Sequence, residues 1–117
     1  MVGQGVASYP DTDKARAAFS AAFPAELRKC EGVAVHNPRD TDAKVTWQFH
    51  VPTVDGTRAQ WSRVQLADGK PLDWSCAYEA DVKSNVVLYT SVCRRGAGGA
   101  EAAAKLAERL MVWIPAT

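Results

Sequence analysis

Trp74-Ser75-Cys76-Ala77-Tyr78-Glu79-Ala80-Asp81-Val82-Lys83-Ser84-Asn85-Val86-Val87-Leu88-Tyr89-Thr90-Ser91-Val92-Cys93 reads as one β-hairpin with its turn at Ser84-Asn85. A two-residue turn sets Lys83 opposite Val86, Val82 opposite Val87, Ala80 opposite Tyr89 and Cys76 opposite Cys93. The pair flanking such a turn is hydrogen-bonded and the pairs then alternate, so Cys76 and Cys93 form a non-hydrogen-bonded pair. Facing Cα atoms come closest in that class, and a disulfide can close across the ladder. The same residues allow a rival reading, because Trp74, Ala77, Tyr78 and Asp81 also fit one face of a helix. The disulfide geometry favours the strand.

A structural disulfide points to an oxidising compartment. Closing this loop stabilises the fold by about 3 kcal/mol in the loop-entropy model. The chain has three cysteines, which leaves Cys30 over. It is either a buried thiol acting as a small hydrophobe or a thiol whose partner lies in another segment or molecule.

Outward from the hairpin, the pattern alternates between strands and turns. Residues 32–36 make a short strand with Val33 and Val35. A loop rich in turn formers follows over 37–42. In residues 44–51, Val45, Trp47, Phe49 and Val51 face one way while Thr46, Gln48 and His50 face the other. Asp55-Gly56 and Asp68-Gly69 bracket a third strand over 58–66. Helices flank this run. Asp11 or Thr12 caps the first, whose stripe is Ala15, Phe19, Ala22 and Phe23, with Pro24 kinking it and Gly32 ending its last turn. The second runs over 100–114 with Ala103, Leu106, Ala107, Leu110, Trp113 and Ile114 on one face, and Pro115 stops it. Residues 1–10 form an N-terminal arm or short strand ahead of one domain over 11–117. The expected fold is α+β: an antiparallel meander sheet of about five strands, two helices packed on one face, and one cross-strand disulfide.

The 117 residues are 47% hydrophobic and 23% charged, enough for one domain with a real core. A net charge of +1 gives no general reason to expect nucleic acid or an anionic membrane as partner. No run is long enough to span a bilayer. Met1-Val2-Gly3-Gln4-Gly5 lacks the basic start and apolar stretch of a signal peptide. A disulfide protein needs export, so the expectation is that a signal or membrane anchor belongs to a segment not present here.

With these residues in view, the chain resembles the C-terminal part of the PknH-like extracellular sensor domain. That family occurs on a mycobacterial receptor Ser/Thr kinase and on related lipoproteins. The resemblance runs over residues 6–115. It rests on an Ala-rich helix after Tyr9-Pro10, Cys30-Glu31-Gly32 at its end, Trp47, and Asp55-Gly56. Its most specific part is Trp74-Ser75-Cys76, then Asn85-Val86-Val87, then Cys93. It implies an antiparallel sheet with helices packed against it and a cleft. It also implies the Cys76–Cys93 pairing already read from the register. Cys30 would pair with a cysteine of an N-terminal segment that this chain lacks, and Leu27 stands where the family usually has Trp.

Four constellations carry candidate chemistry. Pairing of the first two strands lands His50 near Gly32, within approach of the Cys30 thiol, although no third group to orient the pair is evident. Cys30, His36 and His50 lack the spacing of a metal site. Glu79 and Asp81 share one strand face, and the pair is read as a solvated sheet face in preference to an acid/base pair. Gly96-Ala97-Gly98-Gly99 precedes a helix beside Arg94 and Arg95, so Arg94, Arg95, Gly98 and Gly99 are the best anion-site candidates. Trp47, Trp61, Trp74, Tyr78 and Tyr89 are candidates for an apolar ligand pocket.

The expectation is an extracytoplasmic, non-enzymatic sensor or ligand-binding domain, with no catalytic residue, cofactor or metal. A cleft would recognise a small or cell-envelope ligand, and an exposed sheet edge would allow a homodimer. Two other readings stand beside it: a secreted thiol-dependent hydrolase or redox protein using Cys30, and a partner-binding scaffold.

Overall fold

A computed structural model describes residues 1–23, 27–36 and 44–116. The expected Pro24 kink and the 37–42 loop lie outside the described residues. At the centre is the hairpin of β5 (Lys70–Lys83) and β6 (Val86–Arg94). Its register pairs Lys83 with Val86 and Cys76 with Cys93, as the turn at Ser84-Asn85 requires. Ser84 takes a left-handed φ of 55° to close that turn. The two cysteines are joined, their Cα atoms 3.9 Å apart.

β4 (Arg58–Ala67) precedes β5 through the turn Asp68-Gly69, whose φ values of 51° and 76° are the paired left-handed conformations of a tight hairpin. β3 (Val45–Val54) pairs with β4, and the register breaks between His50 and Thr53, where Pro52 cannot donate to the ladder. β2 (Ala34–Val35) adds to β3. These are the five expected strands. A sixth, β1 (Val2–Ser8), comes from the segment read as an arm or short strand, and it pairs along β6 from Val2 opposite Val92 to Ser8 opposite Val86. The sheet order is β1-β6-β5-β4-β3-β2, antiparallel throughout.

The two long helices among the described residues are α1 (Thr12–Ala22) and α2 (Gly99–Met111). Asp11 caps α1 by accepting from the Lys14 N–H at 2.8 Å. The two helices lie on opposite faces of the sheet and not on one, as expected. Phe19 of α1 packs on Ala59 and Ala80, with Val82 and Val87 around it. Ala103 of α2 packs on Ala77 and Val92. Ala77 and Ala80 differ by an odd number of residues on one strand, so their side chains leave on opposite faces. The reason is complementary size. The bulky Phe19 needs the space above two alanines. The small residues Ala103 and Ala107 let α2 come close enough for its Ala103 carbonyl to accept from Thr90 Oγ1 at 2.9 Å.

α2 ends at Met111, three residues short of the expected end. Lys83 Nζ donates to the Met111 carbonyl at 2.9 Å, and Ser84 Oγ donates to the Pro115 carbonyl at 2.6 Å. The chain therefore leaves the helix toward the hairpin turn. Trp113, read as part of the buried stripe, is 84% exposed as a result. Both helices sit mainly over β5 and β6, leaving much of β3 and β4 uncovered.

Candidate functional site

The disulfide face of the sheet carries all five aromatic residues expected to line a pocket. Trp61 on β4 and Tyr78 on β5 face each other across the ladder and stack with ring centroids 5.2 Å apart and planes 11° apart. Tyr89 on β6 continues the layer, 6.1 Å from Tyr78. Phe23, just past α1, closes one end, 5.6 Å from Trp61. Trp47 and Trp74 pack on the Cys76–Cys93 disulfide. Arg63 lies over Trp47 at 4.5 Å and over Tyr78 at 5.8 Å, a cation–π arrangement. Burial pushes the Tyr78 phenol above its ordinary value. These rings fill one another's contact surface, so they form a layer and not a hollow. The space beside Trp61 and Tyr78 is about 140 Å³.

The larger hollow, about 510 Å³, is on the other face, between α2 and the β4–β5 strands. Its floor is the pair read as a solvated sheet face. Glu79 and Asp81 are instead 3% and 6% exposed, because α2 roofs this side of β5. The turn before β4 prepares the site. Asp55 accepts from the N–H groups of Thr57 (2.8 Å) and Arg58 (2.9 Å), which holds its carboxyl below the usual range and sets the start of the strand. Arg58 then donates to Glu79 Oε1 from Nη2 at 2.9 Å and from Nε at 3.2 Å. Gln60 Nε2 donates to the same oxygen at 2.6 Å.

Asp81 is served less well. Its Oδ1 is 3.9 Å from Arg58 Nε, and its Oδ2 is buried with no hydrogen-bond partner. Burial pushes its carboxyl up to about 7, the neighbouring Glu79 adds to that through a shared proton and its charge, and Arg58 pulls the other way. The apolar walls are Ala104 and Met111, with Glu101, Lys105 and Glu108 along the α2 rim. Lys105 is committed to Glu101 at 2.9 Å. A large hollow with an apolar wall and a perturbed, under-bonded carboxyl has the form of a small-molecule site. It was missed in the sequence because an exposed and a roofed sheet face have the same alternation. The only available signal was two acidic residues on a strand facing Arg58 and Gln60.

The other candidates are not assembled into sites. Gly98 caps α2 with a φ of 98°, but Arg94 folds against it, its Nε donating to the Arg95 carbonyl at 3.1 Å. Asp73 ties the loop by accepting from the Gly96 N–H at 2.9 Å, and Arg95 points to a different shallow hollow beside Trp74. Arg94, Arg95, Gly98 and Gly99 thus lie at an exposed corner, with the two arginines turned to different partners. Gly32 does lie beside β3 as expected, donating to the Phe49 carbonyl at 2.8 Å. Yet His50 Nδ1 sits 2.8 Å from Glu31, which also accepts from the Val51 N–H, and these bonds hold the Glu31 carboxyl below its usual range. His50 is thereby oriented by Glu31. Cys30 is half-buried and takes no part in the disulfide. His36 contacts the Val45 carbonyl at 3.1 Å. Among the described residues no group of three His, Cys, Asp or Glu side chains is placed to hold a metal ion.

This antiparallel sheet, with a helix on each face and a disulfide across its central hairpin, can be set beside the PknH-like extracellular domain family. The profile of that family matches residues 1–112, and the chain belongs to it. The crystal structure of the extracellular domain of PknH from Mycobacterium tuberculosis superposes with a TM-score of 0.71 at 25% sequence identity, covering 95% of this chain. The match takes in 56% of that PknH chain, so this chain spans little more than half its length. No curated protein sequence is significantly similar. The chain is therefore an extracellular sensor-type domain, which agrees with its disulfide. No helix among the described residues is long and apolar enough to cross a membrane.

Proposed function

We propose that this domain works without catalysis, by binding a small ligand in the hollow between α2 and the β4–β5 strands. The observation that carries the reading is Asp81 Oδ2, a buried acceptor with no partner at the floor of a 510 Å³ hollow. Leaving a buried polar group unsatisfied costs about 1–3 kcal/mol, which a ligand donor would return. An occupant touching Asp81, Ala104 and Met111 would join the sheet to α2. It would favour conformers in which the helix is seated, and an attached module would read that population.

Acid–base catalysis fits less well. Glu79 Oε1 already accepts three hydrogen bonds, and Asp81 is a buried carboxyl at the floor, its charged form disfavoured by burial. The hydroxyl on the rim, Thr57 Oγ1, donates at 3.2 Å to Asp55, whose carboxyl is held below its usual range and is a weak base.

The chain has two methionines, and they make a direct assay. With methyl-labelled methionine, Met111 reports on the hollow and Met1 on the chain just before β1, beside Cys93. A panel of small amines, amides, sugars and carboxylates should include members that shift Met111 and leave Met1 still. Binders that shift the Trp61 and Trp74 indoles while Met111 stays fixed would place the site on the disulfide face and overturn the reading.

A further inference from the structure

We infer that the hollow takes an organic ammonium, a protonated amine whose N–H groups meet Asp81 and whose hydrocarbon body lies on Ala104 and Met111. This rests on the hollow being the ligand site and names the chemistry it selects.

The charge balance comes first. Four carboxyls line the hollow, those of Glu79, Asp81, Glu101 and Glu108, against two cations, Arg58 and Lys105. Both cations are already engaged, Arg58 by Glu79 and Lys105 by Glu101. Acceptor capacity is therefore left over at Asp81 and Glu108, one at the floor and one on the rim. Asp81 is the second, independent indication. It is 6% exposed, lines the hollow, and keeps one oxygen without a donor.

A neutral donor such as an amide would give that oxygen a hydrogen bond but leave a buried negative charge uncompensated. An ammonium supplies both the bond and the opposite charge, and charge-assisted bonds are roughly twice as strong as neutral ones. A carboxylate or phosphate would meet the surplus carboxyls and be repelled. The apolar wall opposite calls for a hydrocarbon body, because the Ala104 and Met111 side chains gain by being covered.

The titration behaviour follows from this geometry. The charged groups facing Asp81 are Glu79 on β5, Arg58 and Asp55 at the start of β4, and Glu101, Lys105 and Glu108 on α2. Lys83 is turned to the Met111 carbonyl. Asp55 and Glu101 are held below their ordinary range by their own hydrogen bonds, so they stay ionised near neutrality. Asp81 is the group that titrates close to 7. An ammonium binds the ionised carboxyl, so binding releases a proton below that pH. Affinity then falls about tenfold for each pH unit below the transition and is flat above it.

The test uses n-butylammonium, with butyramide and butyrate as probes of equal chain length, and reads the Met111 methyl signal. Butylammonium should shift Met111 at concentrations at least tenfold lower than either control, with affinity rising from about pH 5.5 to about pH 8. Asp81→Asn should abolish the preference for the amine, and unmoved Trp61 and Trp74 indole signals show that the variant is folded. The exposed Glu108→Gln, whose change is safe for folding, should weaken the amine several-fold. An equal response to butyramide, or a preference that survives Asp81→Asn, overturns the ammonium assignment while the hollow stands as a site. Silence of Met111 to all three probes brings down both.

Discussion

Glu79 and Asp81 leave the same face of β5 two residues apart, and Arg58 serves them unequally, with two hydrogen bonds to Glu79 and a 3.9 Å approach to Asp81. One carboxylate is saturated and the other is kept short of donors under the roof of α2. Burial under that roof, with Glu79 beside it, gives Asp81 its raised affinity for a proton, and Arg58 offsets this only in part.

Stability should follow the proton on Asp81. Its folded-state value is raised from the ordinary 3.8 to about 7, so the stabilising contribution is complete below the lower value and lost as pH rises through the higher one. Asp81→Asn removes the ionisation. The variant should be more stable than the parent by on the order of 1–3 kcal/mol at pH 8. The gap should close by about pH 4. Urea unfolding at the two pH values checks this, and a constant difference would contradict it.

Arg58→Met should be destabilising. It strips two donors from Glu79, which is 3% exposed, and removes the cation nearest Asp81. The expected loss is about 2 kcal/mol, because the guanidinium is itself partly exposed and a fully buried pair would lose more. The Asp81 titration should also move further upward. Chemical denaturation followed by a carboxyl titration measures both.

The disulfide should be structural. Reduction, or replacement of both Cys76 and Cys93 by serine, should lower stability by about 2–5 kcal/mol. Intact mass after thiol alkylation without reductant should show Cys76 and Cys93 protected. Fast alkylation of both would contradict the closed hairpin.

Phe19→Ala should cost about 3–5 kcal/mol, since the ring is fully buried on Ala59 and Ala80. Trp113→Ser should change stability by less than about 0.5 kcal/mol, because that ring is mostly in solvent. Thermal unfolding of the two variants separates them, and an equal effect would argue against the end of α2 described above.

Local chemistry was legible in the sequence where it acts alone. The Ser84-Asn85 turn fixed the register through to Cys76 and Cys93, and Asp68-Gly69 marked the next hairpin. Long-range placement was not. Ala77 and Ala80 bury opposite faces of β5, so the strand lacks clean alternation, and residues 74–83 could be read as a helix for that reason. The aromatic layer was visible as composition, but its closure by mutual stacking was not.

The acidic site was hidden by a register shift as well as by α2. Counting back from the Asp68-Gly69 turn without interruption sets Arg58 opposite Glu79. The irregularity between Val64 and Leu66 moves it opposite Asp81 and leaves Gln60 facing Glu79. A bulge of this kind has no sequence signature strong enough to count from. Nothing in a strand's own pattern says which face a distant helix will roof.

The most direct measurement is the titration of the Asp81 carboxyl carbon, followed by NMR in the intact domain. A midpoint close to 7, moving downward on addition of butylammonium, is the expected result. A midpoint near the ordinary aspartate value of 3.8, unmoved by the amine, would show Asp81 to be solvated and would contradict the site at its foundation.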